Sequence, residues 1–377
     1  MCWNNNIENI QEGKNSNVLI VCNTFFQILV ATHIRLKLYK DDVVDIVISN
    51  HSNNSEQIAE NIRKTGIYRN VIFIRNKKTK KYGIGLFHSI SYTFRRAIEI
   101  IRNEIIARKI SKKERYDTLF IANISIFTVL LYNRLLKKSE KLKLNLFEEG
   151  LSNYSRFFTD ADNPDSLHRK WVNKKGIINN LHKLYLFNEQ YMEWNAPNAE
   201  IVHLEKINIH DKSFTNIINT IFGVAEMTDQ YDRKVIFFEE SHFADGFEVP
   251  DVELVNQIAG KFGKENIMIK IHPRNKINRF TTLGYKTNVN TAIPWEVIIL
   301  NQDLSDKILI TISSLSVLNP YLYFGITSQS YSLLNCLKEK PGYMNGELGI
   351  LMQKVYDSHP DLFFAPQTMD DFFHTFK

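Results

Sequence analysis

The sequence predicts an α/β protein of two Rossmann-like, doubly wound domains facing a central cleft. Three observations carry that prediction. Short, continuous runs of apolar and β-branched residues recur along the chain, as strands buried on both faces require. Helical patterns stand between those runs. The 377 residues also exceed what one core usually fills. The expected organisation is a first domain over 1–155, a linker over 156–182 and a second domain over 183–377.

The elements follow in order. "NVLIVCN" (17 to 23) reads as the first strand, and a helical pattern runs from Phe25 to about Tyr39. "VVDIVISN" (43 to 50) is the second strand, followed by a helix from Glu56 to Lys64. "NVIFIRN" (70 to 76) is the third, before a long helix over 88 to 113. "TLFIAN" (118 to 123), a helix over 126 to 137, and "LKLNLF" (142 to 147) complete the first series. The polar segment 156 to 182 breaks the rhythm and reads as a linker with some helix. The alternation resumes with "KLYLFN" (183 to 188), "KVIFFEE" (234 to 240), "IMIKIHP" (267 to 273) and "KILITISS" (307 to 314).

Composition excludes several classes. A 44% hydrophobic and 23% charged chain is an ordinary globular one. Cys2, Cys22 and Cys336 are odd in number, scattered and without CxxC spacing, so neither a disulfide framework nor a zinc site is expected. Such cysteine usage suits a reducing compartment. The polar start has no signal-peptide core, and no apolar run reaches the ~18 residues of a membrane span. A cytoplasmic protein is expected. The net charge of +6 is uneven: Lys77, Lys78, Lys80 and Lys81, with Arg95, Arg96, Arg102 and Arg108, make the first domain locally basic. A solvated face is one reading, and peripheral contact with an anionic inner-leaflet membrane is the other. No zinc-finger, RNP-like or helix-turn-helix pattern points to nucleic acid.

Ligands of open parallel sheets sit beyond the carboxyl ends of the strands. Four predicted strand ends carry unusual polar groups: Glu148-Glu149-Gly150, Glu239-Glu240, His272-Pro273-Arg274 and Ser313-Ser314. Each alone has a plain structural reading, such as a turn or a cap. As a set they mark a site. Pro273 keeps His272 out of the helical region, and Lys270 lies on the same strand face two residues earlier. This corner suits a phosphate. In "AIPWEVIIL" Pro294 opens a short helix and Glu296 falls in its first turn. Glu296 reads either as helix-dipole compensation or as an acceptor for two ribose hydroxyls. Asp160 and Asp162 in "TDADN" imitate a metal-binding DxD, but their polar linker context argues against a metal, and none is expected. No glycine-rich phosphate loop follows the first strand.

The ordered set "FEEG", "FFEESHFADG", "HPR", "PWE" and "SS" resembles the bacterial sialyltransferases of glycosyltransferase family 52, which includes lipooligosaccharide sialyltransferases. "VCNTFFQILVA" resembles that family's first strand and helix, with Asn23 as a candidate substrate contact. The resemblance covers about 20 to 330. It implies a GT-B fold and an inverting, metal-independent, cofactor-free transfer of sialic acid. CMP-sialic acid would be the donor and a galactose-type cell-surface glycan the acceptor. It also implies His272, Ser313 and Ser314 on the CMP phosphate, Glu296 on the ribose, and Lys270 to Pro273 near the cytosine. Glu148, Glu149 and Gly150 would stand on the acceptor side, and a homodimer is the expected assembly. A GT-B transferase for another nucleotide sugar and a non-catalytic glycan-binding protein are the alternatives.

The general base has several candidates. Adjacent residues of a strand end point to opposite faces, so only one of Glu148 and Glu149 enters the cleft. Glu239, Glu240 and Asp245 offer rivals from the second domain. Asp245 is favoured, because it precedes Gly246 in a loop free of the strand. Glu149 would then position the acceptor, unless both glutamates merely hold the turn.

Overall fold

Apolar strands without alternation are satisfied inside parallel sheets covered on both faces, and this chain builds two. The computed structural model describes residues 16–52, 54–76, 86–155, 176–225, 229, 231–339 and 347–376. The first sheet comprises β1 (Asn17–Cys22), β2 (Val43–Ser49), β3 (Asn70–Ile74), β4 (Thr118–Ile121), β5 (Lys143–Phe147), β6 (Leu181–Leu186) and β7 (Glu200–His203). Its order is β3-β2-β1-β4-β5-β6-β7. The second comprises β8 (Val235–Phe238), β9 (Ile267–Lys270), β10 (Lys286–Thr287), β11 (Ile308–Thr311), β12 (Gln329–Ser332) and β13 (Phe363–Phe364), in the order β10-β9-β8-β11-β12-β13. All pairings are parallel. The strand order reverses between β1 and β4 in one sheet and between β8 and β11 in the other. These switch points are where open sheets leave room for ligands.

Among the described residues, α1 (Phe25–Lys37), α2 (Ser55–Thr65), α3 (Leu86–Lys113) and α4 (Ile126–Leu136) follow strands of the first sheet. Their starts follow from side-chain caps. The Thr24 hydroxyl accepts the Gln27 N–H ahead of α1, and Ser125 with Thr128 forms a capping box ahead of α4. The chain then crosses through α5 (Lys212–Phe222) to the second sheet. There α6 (His242–Asp245), α7 (Asp251–Phe262), α8 (Arg279–Thr282), α9 (Trp295–Asn301), α10 (Asn319–Phe324), α11 (Glu347–Ser358) and α12 (Met369–His374) lie between or after the strands.

The sheet topology corrects the expected boundary at residue 183. β6 pairs with β5, and β7 pairs with β6, so both complete the first sheet. Residues 156–182 therefore connect neighbouring strands of one domain and do not join two domains; of these, 156–175 lie outside the described residues. The passage between domains comes later, between β7 and β8. Strands β7, β12 and β13 are too short or too polar to announce themselves: "EIVH" opens on a glutamate and "QSYS" is mostly polar.

The two domains share a packed seam centred on a carboxylate. Glu148, just after β5, is fully buried. It accepts hydrogen bonds from the Tyr154 hydroxyl, the Phe187 N–H (3.1 Å) and the Tyr323 hydroxyl of α10 (3.1 Å). Around it, Asn188 Nδ2 donates to the Leu322 carbonyl, and the Ile207 N–H donates to the Tyr323 carbonyl. The Tyr323 ring meets Phe26 at 4.8 Å and Phe187 at 5.4 Å between centroids.

Burial raises the Glu148 carboxyl to about 7, against the opposing pull of its three donors. The unfolded chain releases that proton near 4.5. The folded state therefore binds more protons between these values, and stability should fall as pH rises from about 4.5 through about 7. Gln can occupy the same volume without titrating, so Glu148→Gln should flatten the pH dependence of urea unfolding in that window. An unchanged slope in the variant would remove Glu148 as its source.

Candidate active site

Each sheet aims the carboxyl ends of its strands at one cavity of about 420 Å³ between the domains. Phe26, Glu149, Gly150 and Leu151 line it from the first domain. Glu240, His272, Glu296, Ser313, Ser314 and Asn319 are among the residues that line it from the second. A larger depression of about 700 Å³ lies over Asp251, Asn256 and Arg279, away from these groups. It gathers no comparable set, because the Arg279 guanidinium is already held by Asp251 and Glu239.

On the first-domain side, alternation along the extended chain sends Glu148 inward and Glu149 into the cleft. Glu149 Oε2 accepts from Gln27 Nε2 and from Asn123 Nδ2 (2.8 Å). Its N–H donates to Asn153 Oδ1 at 2.7 Å. Asn23 stands behind this arrangement: its N–H donates to Gln27 Oε1 (2.6 Å), and its side chain donates to Asn123 Oδ1 (3.2 Å). The carboxylate is thus oriented by amides from α1 and from the end of β4, while Asn153, in the turn after β5, fixes the Glu149 backbone. Gly150 has φ +116° and ψ −175°, a conformation essentially restricted to glycine. It ends the acidic pair and lets the backbone line the cavity.

On the second-domain side, Glu240 organises the serine turn. Its Oε1 accepts from the Thr311 hydroxyl (2.9 Å) and from the N–H groups of Ser313 (2.5 Å) and Ser314 (3.1 Å). Its Oε2 accepts from the Ser313 hydroxyl (2.6 Å) and meets His242 Nε2 at 3.0 Å. Burial works to raise this carboxyl, but His242 and Ser313 outweigh it and hold it below the ordinary value. His242 is raised in return by Glu240. The Ser314 hydroxyl caps the following turn by accepting the Ser316 N–H.

His272 Nδ1 accepts the Arg274 N–H at 3.2 Å, which leaves the ring proton on Nε2. Burial, with Arg274 and Lys270 nearby, lowers this imidazole to about 4. It is a neutral donor near pH 7. Pro273 and Arg274 form an exposed turn beside it. Lys270 is 8% exposed, and no hydrogen bond or ion pair holds its ammonium among the described residues. Burial lowers it to about 8, against the fields of Glu296 and Asp229. Glu296 occupies the first turn of α9, as expected, and accepts from Asn319 Nδ2 at 2.7 Å. Burial raises its carboxyl.

The structure gathers Glu149, Gly150, His272, Glu296, Ser313 and Ser314 around the cavity. It buries Glu148 and Lys270 behind the wall, leaves the half-buried Asn23 outside the lining and sets Pro273 at the surface. Asp245, the sequence-based choice of base, lies outside the lining. Its carboxylate receives the Ser241 hydroxyl (2.7 Å) and Arg274 (3.1 Å), and both hold it below the usual range. Glu239 is buried under Arg279 and the His272 N–H. Sequence reading missed the amides Gln27, Asn123 and Asn153. The strand-end rule applied to "TLFIAN" singles out Asn123, whereas Gln27 on a helix gives no such signal. Asp160 and Asp162 lie outside the described residues, and among those described no three His, Cys, Asp or Glu side chains converge as a metal site.

A family model described as Alpha-2,8-polysialyltransferase (POLYST) matches residues 18–332. No curated protein sequence gives a significant match. Among solved structures, UDP-GlcNAc 2-epimerase from Methanocaldococcus jannaschii is 14% identical, with a TM-score of 0.50 over 90% of this chain and 91% of that one. S. aureus MnaA with UDP is 8% identical, with a TM-score of 0.50 over 84% of this chain and 79% of that one. These likenesses establish the GT-B fold.

Removing the Glu240 carboxylate takes an acceptor from the Ser313 and Ser314 N–H groups and from the Thr311 and Ser313 hydroxyls at once. Glu240→Ala should therefore destabilise the protein by about 2–4 kcal/mol in guanidinium unfolding. An unchanged midpoint would show that the serine turn stands without it.

Proposed function

The chain belongs to the alpha-2,8-polysialyltransferase family and is a glycosyltransferase, and from that premise we propose that it transfers sialic acid from CMP-sialic acid to a glycan hydroxyl with inversion. The observation that carries the reading is the opposition of Glu149, held by amides of the first domain, to His272, Ser314 and Glu296 across one cavity.

The chemistry follows from charge. The donor's phosphodiester carries one negative charge, and CMP gains another as it leaves. Donors aimed at that phosphate therefore bind the transition state more strongly than the ground state. His272 Nε2–H and the Ser314 hydroxyl are the donors proposed, with Ser313 completing the turn. Glu296 receives the ribose hydroxyls, and the buried Lys270 sits behind it toward the base. Glu149 accepts the proton of the acceptor hydroxyl as its oxygen attacks the anomeric carbon. The bond to the phosphate oxygen breaks as the new glycosidic bond forms, and CMP departs. One displacement inverts the centre. No step in this scheme calls on a metal or a further cofactor. Glu149 replaces Asp245 as the proposed base, because Asp245 is committed to Arg274 outside the cavity.

The acceptor has two readings with separate support. The family description favours a sialic acid terminus, and the lipooligosaccharide-type motif set favours a galactose terminus. A product assay with CMP-sialic acid and both acceptors decides between them. Equal turnover with UDP-sugars would overturn the donor.

Glu149→Gln should cut turnover by ~10²-fold or more while CMP affinity stays within about 2-fold. His272→Ala should weaken CMP binding or turnover by at least ~10-fold, whereas His272→Gln, which keeps an N–H donor, should lose less. Unchanged kinetics in Glu149→Gln would return the base to the second domain.

A further inference from the structure

Helix α3 presents a face that its own domain does not use. Its inward side, with Ile100, Asn103, Ala107 and Ile110, is buried. Phe94, Ile98, Ile101 and Ile105 are exposed, at 68%, 41%, 60% and 51%. Their spacing of four, three and four residues puts them on one stripe, a ridge roughly 17 Å long. They are four of the twelve large apolar side chains exposed among the described residues, whereas the others lie on several different elements. An uninterrupted apolar ridge on one helix calls for a partner in a way that scattered residues do not.

The charge on the same face is of one sign. Arg102, Arg108, Lys109, Lys112 and Lys113 are all exposed. The two acids within this stretch are turned away from it. Glu99 is buried against Arg96 at 2.8 Å, and Glu104 is paired with Arg134 of α4. Arg96 is thereby removed from the basic set read in the sequence, and Lys77, Lys78, Lys80 and Lys81 lie outside the described residues.

We propose that this face of α3 docks on an anionic lipid bilayer, with the four apolar side chains entering the interface and the cations meeting the headgroups. A second copy of the chain suits the stripe poorly. Pairing it with itself would bring two basic faces together, with no exposed acid within α3 among the described residues to answer them. A soluble polyanion would use the cations but leave the isoleucines in water. A bilayer with acidic headgroups satisfies both, as an in-plane amphipathic helix does. Among the described residues no helix is long and apolar enough to cross a membrane, so the contact is peripheral. The proposal stands independently of the donor and acceptor.

The test is co-sedimentation of the full chain with vesicles of phosphatidylcholine alone and of phosphatidylcholine mixed with phosphatidylglycerol. The wild type should bind the mixed vesicles, and binding should weaken with salt, since headgroup contacts are screened over roughly 10 Å at 0.1 M. Ile98→Ser with Ile101→Ser should lower the partition coefficient at least ~10-fold, and Arg102→Gln with Lys109→Gln should do likewise. These positions are exposed, and thermal melts of the variants should coincide with that of the wild type. Equal binding to both vesicles would overturn the proposal. So would loss on removing the cations with no effect of removing the isoleucines, which would leave only a general polyanion patch. A dimer in light scattering that the isoleucine variant dissolves, without vesicle binding, would assign the stripe to a second copy instead.

Discussion

Burying the Glu148 carboxylate among neutral donors alone is the constraint on which the geometry of the cleft depends. An unpaired buried charge is costly, so the group must keep its proton or collect hydrogen bonds. Glu148 does some of each. Its donors come from Tyr154 after the turn, from Phe187 at the end of β6, and from Tyr323 of the second domain. Three separate parts of the chain are drawn to one point. With Glu148 fixed inward, the alternation of an extended chain leaves its neighbour only the other side, and Glu149 faces the cleft. The doubled acid is therefore one structural group and one available group, and Gly150 supplies the backbone turn that no side-chain-bearing residue would adopt easily.

The second domain repeats this division with its own acidic pair. Glu239 is buried and ties the start of the His272 turn to Arg279. Glu240 reaches the cavity and gathers the N–H groups and hydroxyl of the serine turn. In both sheets a carboxylate stands beside the switch point and preorganises polar groups before any ligand arrives. The cations near the cleft are restrained in a different way. Among the described residues Lys270 is buried without an ion pair, and His272 stays neutral at ordinary pH. An arriving phosphate would favour protonation of His272, whereas Lys270, lowered only to about 8, is still mostly charged near pH 7. Under the transfer proposed above, directed donors, the Lys270 charge and a neutral imidazole able to gain a proton would all face a leaving group whose charge grows as it departs.

Much of this was legible in the sequence, because parallel strands buried on both faces leave a plain apolar signature. β1 through β5, β8, β9 and β11 all show it, and the polar residues just past their ends mark the cavity. What stayed hidden has physical reasons. β7 and β12 are carried by pairing with better strands, so their own residues need little apolar character. The domain boundary was misread because the run "KLYLFN" has the same pattern whether its strand opens a new sheet or extends an old one. The preference for Asp245 came from loop position alone. Sequence cannot reveal that Arg274, across a turn, would claim that carboxylate. Gln27 escaped notice because an amide on a helix becomes meaningful only when a distant strand end arrives beside it.

Tyr323 shows how the halves of the cleft are tied together. Its ring packs on Phe26 and Phe187, its hydroxyl serves Glu148, and its carbonyl receives the Ile207 N–H. Yet it also lines the cavity and sits in α10, the same short helix that begins with Asn319, the partner of Glu296. A displacement of α10 relative to the first domain would disturb the Glu148 cluster and the Glu296 contact together. The same tyrosine thus couples the setting of the first domain's acidic pair to the second-domain wall of the cavity. A second tie, from the Tyr191 hydroxyl to Ser358 and His359, holds the end of α11 against the first domain. Both contacts bridge the domains, and sliding one domain past the other would take Tyr323, the second domain's donor, away from the buried Glu148 carboxylate.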